Sequence, residues 1–184
     1  ENTIDFLVKI ENDSRGMEKI YSYQENNSII SYKKCILHVG YDKDRHYNFN
    51  AFRIVNENPT YESGYNPIKF MPNSPYINNS YITFIKTSNN LIFCEDGSQI
   101  KDNFIVEFKW YGEELTRWGP LRVRNSKGPN ALNTALNVWD SIHNPVTKKM
   151  ISSGKNILVD TDKYYIRQKK RAREELSTYR LQDF

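Results

Sequence analysis

Apolar side chains recur at every second position at the start of the chain. Ile4, Phe6, Val8 and Ile10 alternate with Asp5, Leu7 and Lys9, a period of two that predicts a β-strand with one strongly apolar face. Asn12-Asp-Ser-Arg-Gly16 follows with turn chemistry. The same reasoning predicts strands over 29–32, 34–39, 81–86, 91–94, 104–110 and 121–124. Ser88-Asn-Asn90 and Glu95-Asp-Gly97 read as tight hairpin connections. Residues 56–80 are rich in Pro, Asn, Tyr and Ser and carry Pro59, Pro67, Pro72 and Pro75. They predict an ordered insertion or surface excursion rather than a strand.

After Lys127 the period changes. Gly128-Pro129 can open a helix with proline in its first position, and Leu132, Ala135, Leu136, Trp139 and Ile142 then recur at helical spacing up to Pro145. That stripe reads first as a helix packed on the strands, with Trp139 as its anchor. From about residue 160 a second helix is predicted, capped by Asp160 or Thr161 and rich in Lys and Arg. Many short strands with turn signals and little helix until late predict an all-β class, either a small antiparallel barrel or a sandwich.

Composition narrows this. At 184 residues the chain holds one domain plus an appendage, or one and a half domains. Aromatics at 14% argue against disorder despite a mean hydropathy of −0.75. The formal net charge is a modest +4. No apolar run approaches a membrane span, and the acidic start is not a signal peptide. Cys35 and Cys94 lie in apolar strand-like runs and read as reduced core residues. The chain starts without Met in what already reads as a strand, which predicts a segment of a longer polypeptide. Phosphate loops of the Walker type and zinc-spaced Cys/His clusters are absent, and Asp42, Asp44 and His46 read as a polar loop rather than a metal site.

The richest local chemistry is Trp118-Gly-Pro-Leu-Arg122-Val-Arg124-Asn-Ser-Lys127. On a strand, Leu121 and Val123 would face the core while Arg122 and Arg124 face outward together. Two forked, permanently charged donors at that spacing suit polyphosphate oxygens, with Lys127 as a mobile third charge. The plain alternative is a solvated basic edge strand.

This run resembles the last signature motif of the covalent nucleotidyltransferases, the mRNA guanylyltransferases and ATP-dependent ligases, roughly W-x-x-x-R-x-R-x-D-K. Trp118, Arg122, Arg124 and Lys127 match, while Ser126 stands where the family has Asp. Residues 2–8, 103–108 and 139–147 are similar, in order, to blocks of the multifunctional capping enzymes of large cytoplasmic DNA viruses and cytoplasmic linear plasmids. The resemblance implies an antiparallel OB-fold barrel with a C-terminal helix over 1–152, and a basic helical linker over 153–184 leading to a guanine-N7 methyltransferase domain. It implies GTP as substrate with Mg²⁺ or Mn²⁺, and S-adenosylmethionine for the fused methyltransferase. Arg122, Arg124 and Lys127 would orient the β- and γ-phosphates of GTP. Lys163, Arg167, Lys170 and Arg171 on the tail are candidate RNA contacts, with Tyr164 and Tyr165 available for stacking.

The implied partners are an upstream nucleotidyltransferase domain, the methyltransferase, the 5′ end of nascent mRNA, and a viral RNA polymerase or small regulatory subunit. No membrane is among them, and the implied location is cytoplasmic, in a viral factory or virion. Lys-x-Asp-Gly, which carries the family's lysyl nucleophile, does not occur in these 184 residues. Two other readings stay open: the OB domain of an ATP-dependent polynucleotide ligase, and a non-catalytic single-strand RNA-binding barrel.

Overall fold

The computed structural model describes residues 2–42, 65–125 and 127–145. Its strands are β1 (Thr3–Ile10), β2 (Ile20–Glu25), β3 (Ser28–Asp42), β4 (Tyr65–Lys69), β5 (Ile82–Lys86), β6 (Ile92–Phe93), β7 (Gln99–Ile100), β8 (Ile105–Trp110) and β9 (Trp118–Val123), followed by helix α1 (Leu132–His143). The main sheet runs β2-β3-β1-β8-β9, with β4 and β5 also on β3, and these strand pairings are antiparallel. Hydrogen bonds close it into a barrel: Thr83 Oγ1 on β5 donates to the Trp118 carbonyl at 2.9 Å and accepts the Trp118 N–H at 3.1 Å. The chain is an all-β OB-fold, with one helix among the described residues.

β3 organises the barrel. Its 15 residues pair with β2 and then β1, and also with β5 and then β4. Cys35, Leu37, Val39 and Tyr41 point inward and are buried, joined by Ile4, Phe6, Val8, Val106 and Phe108 from neighbouring strands. β1 and β8 follow the predicted alternation closely. Cys35 and Cys94 are free and buried, and burial pushes the Cys94 thiol up to about 11. Asn89 and Asn90 supply the left-handed turn before β6, and Gly97 the turn between β6 and β7, as predicted.

Three expectations are corrected. β3 is one continuous strand where two were predicted, because Lys33 at the join is accommodated by an ion pair with Glu18. The proline-rich stretch contains a strand after all: Pro67 in β4 pairs with Gly40, and among the described residues β4 has β3 as its single neighbour, an edge position where a missing N–H costs no ladder bond. Pro129 is not the first residue of the helix. Residues 128–131 stay extended because Asn130 is committed to the strands: its N–H reaches the Asp5 carbonyl and its carbonyl takes the Gly40 N–H, both at 2.8 Å. The helix therefore starts at Leu132, with Ala131 at its cap and no side-chain cap bond. Its stripe packs as predicted, with Leu132, Ala135 and Trp139 fully buried and Leu136 and Ile142 against the core. The predicted helix from about residue 160, with Lys163, Arg167, Lys170 and Arg171, lies outside the described residues, as do Asp44 and His46.

His38 on β3 is 5% exposed between the partners Leu7 and Lys69. Burial first, then the charges of Lys9 and Lys69, lower its pKa from 6.5 to about 4, although Nδ1 is 3.2 Å from the Ile36 carbonyl. The unfolded chain therefore binds the proton more readily than the folded one. This contribution to stability is present above pH 6.5 and is lost as pH falls toward 4. The full loss is roughly 3 kcal/mol. Urea unfolding from pH 7.5 to 4.5 should show this decline, and His38→Gln should flatten it. Equal slopes for the two proteins would remove His38 as the cause.

Candidate functional site

The motif strand is fixed at one end by Trp118. Its side chain is 0% exposed, its ring lies 4.9 Å from Trp110 and 5.0 Å from Phe6, and its indole N–H donates to the Ser80 carbonyl at 2.7 Å. On an unbroken strand a residue four positions later would share this inward face. Arg122 does not. Glu107 pairs with Arg122 while Phe108 pairs with Pro120, so Leu121 is an extra residue and the strand bulges there. Past the bulge the phase is inverted. Val123 pairs with core residue Val106 and packs against the core, while Arg122 pairs with Glu107 on the outer face.

The expected alternation is thus right for Val123 and the arginines but not for Leu121, which is half-buried outside the core. The turn at 94–98 clamps the bulge: the N–H of Glu95 donates to the Pro120 carbonyl at 2.9 Å and that of Asp96 to the Leu121 carbonyl at 3.2 Å.

On the outer face β1, β8 and β9 lie side by side and bring Asp5, Glu107 and Arg122 into one row. Arg122 Nε donates to Glu107 Oε2 at 2.5 Å, and Arg124 Nη1 donates to the same oxygen at 3.2 Å. Arg124 Nε lies 3.7 Å from Asp5 Oδ2, and Thr3 Oγ1 donates to Glu107 Oε1 at 2.8 Å. Arg122 is 55% exposed and Arg124 18%, so the first reaches into solvent and the second is packed down. The bond to Glu107 uses Nε of Arg122 and leaves its forked Nη end, the part suited to phosphate oxygens, outside that contact.

Lys127 is exposed on the loop beyond, its N–H 3.5 Å from the Arg124 carbonyl, and its charge is felt at Asp5. The three predicted cations therefore gather at one end of one face. Ser126 lies outside the described residues.

Burial would raise the Glu107 pKa, but the hydrogen bonds from Arg122 and Thr3 and the two guanidinium charges outweigh it and hold the carboxyl below its usual range. At Asp5 burial wins, and the Glu107 charge adds to it, so that group is raised despite Arg124. The two carboxylates are the residues that motif reading missed. Their alternation put them on the outer face of β1 and β8, but only the strand register shows that they meet the arginines. Among the described residues no group of three or more His, Cys, Asp or Glu could hold a metal ion, and no helix is long and apolar enough to cross a membrane.

Fold and face together define an OB-fold domain whose last strand presents a bracketed arginine pair. The family of the mRNA capping enzyme C-terminal domain matches over residues 1–152, and the chain belongs to it. A curated relative, a probable mRNA-capping enzyme of Acanthamoeba polyphaga mimivirus, is 26% identical over 170 residues, covering 83% of this chain. The chain spans 13% of that relative's length. No solved structure matches the chain.

Gly119 tests the clamp. A Cβ there would lie 2.1 Å from Cε2 of Tyr111, whose hydroxyl donates to Glu95 Oε1 at 2.7 Å. Gly119→Ala should displace the ring, break that bond and destabilise the domain by about 1–3 kcal/mol in chemical unfolding. In a Tyr111→Ala background the same substitution should cost little. Equal costs in both backgrounds would show that Tyr111 is not what Gly119 accommodates.

Proposed function

We propose that this domain is the OB-fold portion of a GTP:RNA guanylyltransferase, and that it closes over GTP to orient the β- and γ-phosphates during GMP transfer. The observation that carries the reading is the pairing of Arg122 and Arg124 on the outer face, both hydrogen-bonded to Glu107. Glu107 fixes where the guanidiniums sit before any ligand arrives. Cations held in place cost little reorganisation when charge develops on a leaving group.

In the complete enzyme a lysine of the upstream nucleotidyltransferase domain attacks the α-phosphate. The P–N bond forms as the bond to the bridging oxygen breaks, and pyrophosphate leaves with the electron pair. Arg122, Arg124 and Lys127 hold the departing phosphates in line and neutralise the charge that builds on them. GMP then passes from the lysine to the 5′-diphosphate end of RNA. Mg²⁺ or Mn²⁺ belongs to this reaction, but the carboxylates on this face, Asp5 and Glu107, are already engaged by guanidiniums. They do not fit a metal site, so the ion would be held by groups beyond this face, and no step here is routed through it.

The same reading places a methyltransferase domain using S-adenosylmethionine after residues 153–184, and gives the basic tail residues a sequence-independent hold on RNA. It makes a viral RNA polymerase or a small regulatory subunit the natural protein partner, in the cytoplasm.

The test is single-turnover formation of enzyme–GMP by the complete enzyme. Arg122→Ala should slow it by roughly 100-fold, and Arg122→Lys should recover little, because an ammonium lacks the guanidinium fork. Arg122 is half exposed, so its removal should leave thermal unfolding nearly unchanged. Arg124→Ala should slow the step and also lower stability, since it strips a partner from two largely buried carboxylates. A folded Arg122→Ala enzyme that guanylylates normally would sink the phosphate role. The 184-residue chain alone, lacking Lys-x-Asp-Gly, should form no GMP adduct with labelled GTP and divalent metal.

A further inference from the structure

A second surface lies away from the arginine pair. Tyr21 and Tyr23 on β2, Tyr32 and Lys34 on β3, and Phe84 and Lys86 on β5 share one outer face, set by the registers Tyr21↔Tyr32, Lys34↔Phe84 and Tyr32↔Lys86. Beside them, the segment before β9 forms a wall: the Phe84 N–H donates to the Leu115 carbonyl at 3.1 Å and Thr116 Oγ1 to the Phe84 carbonyl at 3.2 Å. Between wall and sheet is an open concavity of about 610 Å³ lined by Tyr23, Lys34, Phe84 and Arg117, among others.

The rings are arranged rather than scattered. Tyr21 meets Phe84 edge-on at 5.3 Å and Tyr23 meets Tyr32 edge-on at 5.7 Å, while Tyr23 is 40% exposed. Lys19 sits over the Tyr21 ring at 4.6 Å. Glu11 binds the Tyr21 hydroxyl and lies 3.3 Å from Lys34. Arg117 is held differently, donating to the backbone carbonyls of Asn78 and Glu114. Among the described residues no carboxylate pairs with it, so its charge is positioned without being neutralised.

We infer that this aromatic and basic concavity binds single-stranded RNA, the acceptor whose 5′ end receives GMP. Bases offer flat faces to Tyr23 and Phe84 irrespective of sequence, and Arg117, Lys34, Lys86 and Lys19 meet the phosphates. Four cations meet three bordering carboxylates, Glu11, Glu25 and Glu114; Glu11 is taken up by Lys34 while Arg117 has no such partner among the described residues, a balance that suits a polyanion rather than a neutral protein surface. Placement supports it too. Arg117 immediately precedes β9, and Arg122 lies on β9 five residues after Arg117, about 15 Å along an extended backbone. RNA lying in the concavity has its end within a few nucleotides of the phosphate-binding face. This inference rests on the guanylyltransferase reading for the identity of the RNA, but its test needs no GTP.

Fluorescence anisotropy of the 184-residue chain with a labelled 5′-diphosphate RNA of about 12 nucleotides reads the interaction directly. Tyr23→Ala should weaken binding at least about fivefold, Tyr23→Phe should retain it, and Lys86→Ala should remove about one from the slope of log Kd against log salt. Phe93→Ala, removing an exposed ring on the β6–β7 ribbon, should change nothing. Photo-crosslinking with 4-thiouridine RNA should label peptides within 19–34 and 82–86. Unchanged affinity in Tyr23→Ala and Lys86→Ala, or crosslinks confined to 118–127 or 160–184, would overturn the proposal. Binding lost in Tyr23→Ala with GMP transfer indifferent to Arg122 would uphold this surface while the phosphate role fails.

Discussion

The burial of Trp118 is the constraint from which the rest follows. An indole taken fully out of water contributes several kcal/mol, and truncating one in a core typically costs about 3–5 kcal/mol. Its N–H must also find an acceptor, which the Ser80 carbonyl provides. The backbone on either side is committed as well, through the paired bonds to Thr83 that close the barrel. With this residue pointing inward, the spacing to Arg122 forbids a regular strand from presenting the arginines. The bulge at Leu121 resolves the conflict. A core requirement and a surface requirement are met on six residues because one of them is left out of the pairing.

Magnitudes show which interactions hold the domain and which aim its side chains. A half-exposed pair such as Arg122–Glu107 is worth about 0–1 kcal/mol. The aromatic cluster of Phe6, Phe70, Trp110, Trp118 and Trp139, with ring separations of 4.8–6.2 Å, lies on another scale. Stability therefore comes from the core, and the outer row of Asp5, Glu107 and the arginines mainly sets direction. Arg124 is the exception. It is 18% exposed over two carboxylates that are each 13% exposed, so removing it leaves charge without a partner in a partly dry place.

The parts of the fold legible in the sequence are those with one wet and one dry face. β1, β8 and α1 announce themselves by period because each buries one side. β2 does not: nearly all of Ile20–Glu25 is exposed, so no alternation of apolar and polar residues marks it. β4 is hidden by Pro67, which is harmless on an edge, and β7 is two residues long. The cations of the candidate site were legible because a motif names them. Asp5 and Glu107 were not, since a carboxylate on an outer face is ordinary until the register sets it beside a guanidinium. The bulge is hidden for a related reason. It follows from the conflict between Trp118 inward and Arg122 outward, which needs the side of each to be known.

The two basic surfaces differ in how their charge is compensated, and in the function proposed for them this difference would sort their ligands. Arg122 and Arg124 are bonded to Glu107, so an anion that exchanges water for the open fork of Arg122 does so beside a carboxylate. A single phosphate gains little from that exchange. A polyphosphate chain, with several charges and a cradle of donors to satisfy at once, gains on every contact, and Lys127 adds a cation without that carboxylate bond. Glu107 thus raises the charge a ligand must bring before it is held. Arg117 answers to carbonyl oxygens, which fix its position while leaving its field intact. A singly charged phosphodiester can then be held there, and affinity accumulates from repeated weak contacts and stacked bases rather than from one dense anion. Arg117 precedes Trp118 and Arg122 follows it, so the residue that closes the barrel also fixes how far apart along the chain these two cations stand.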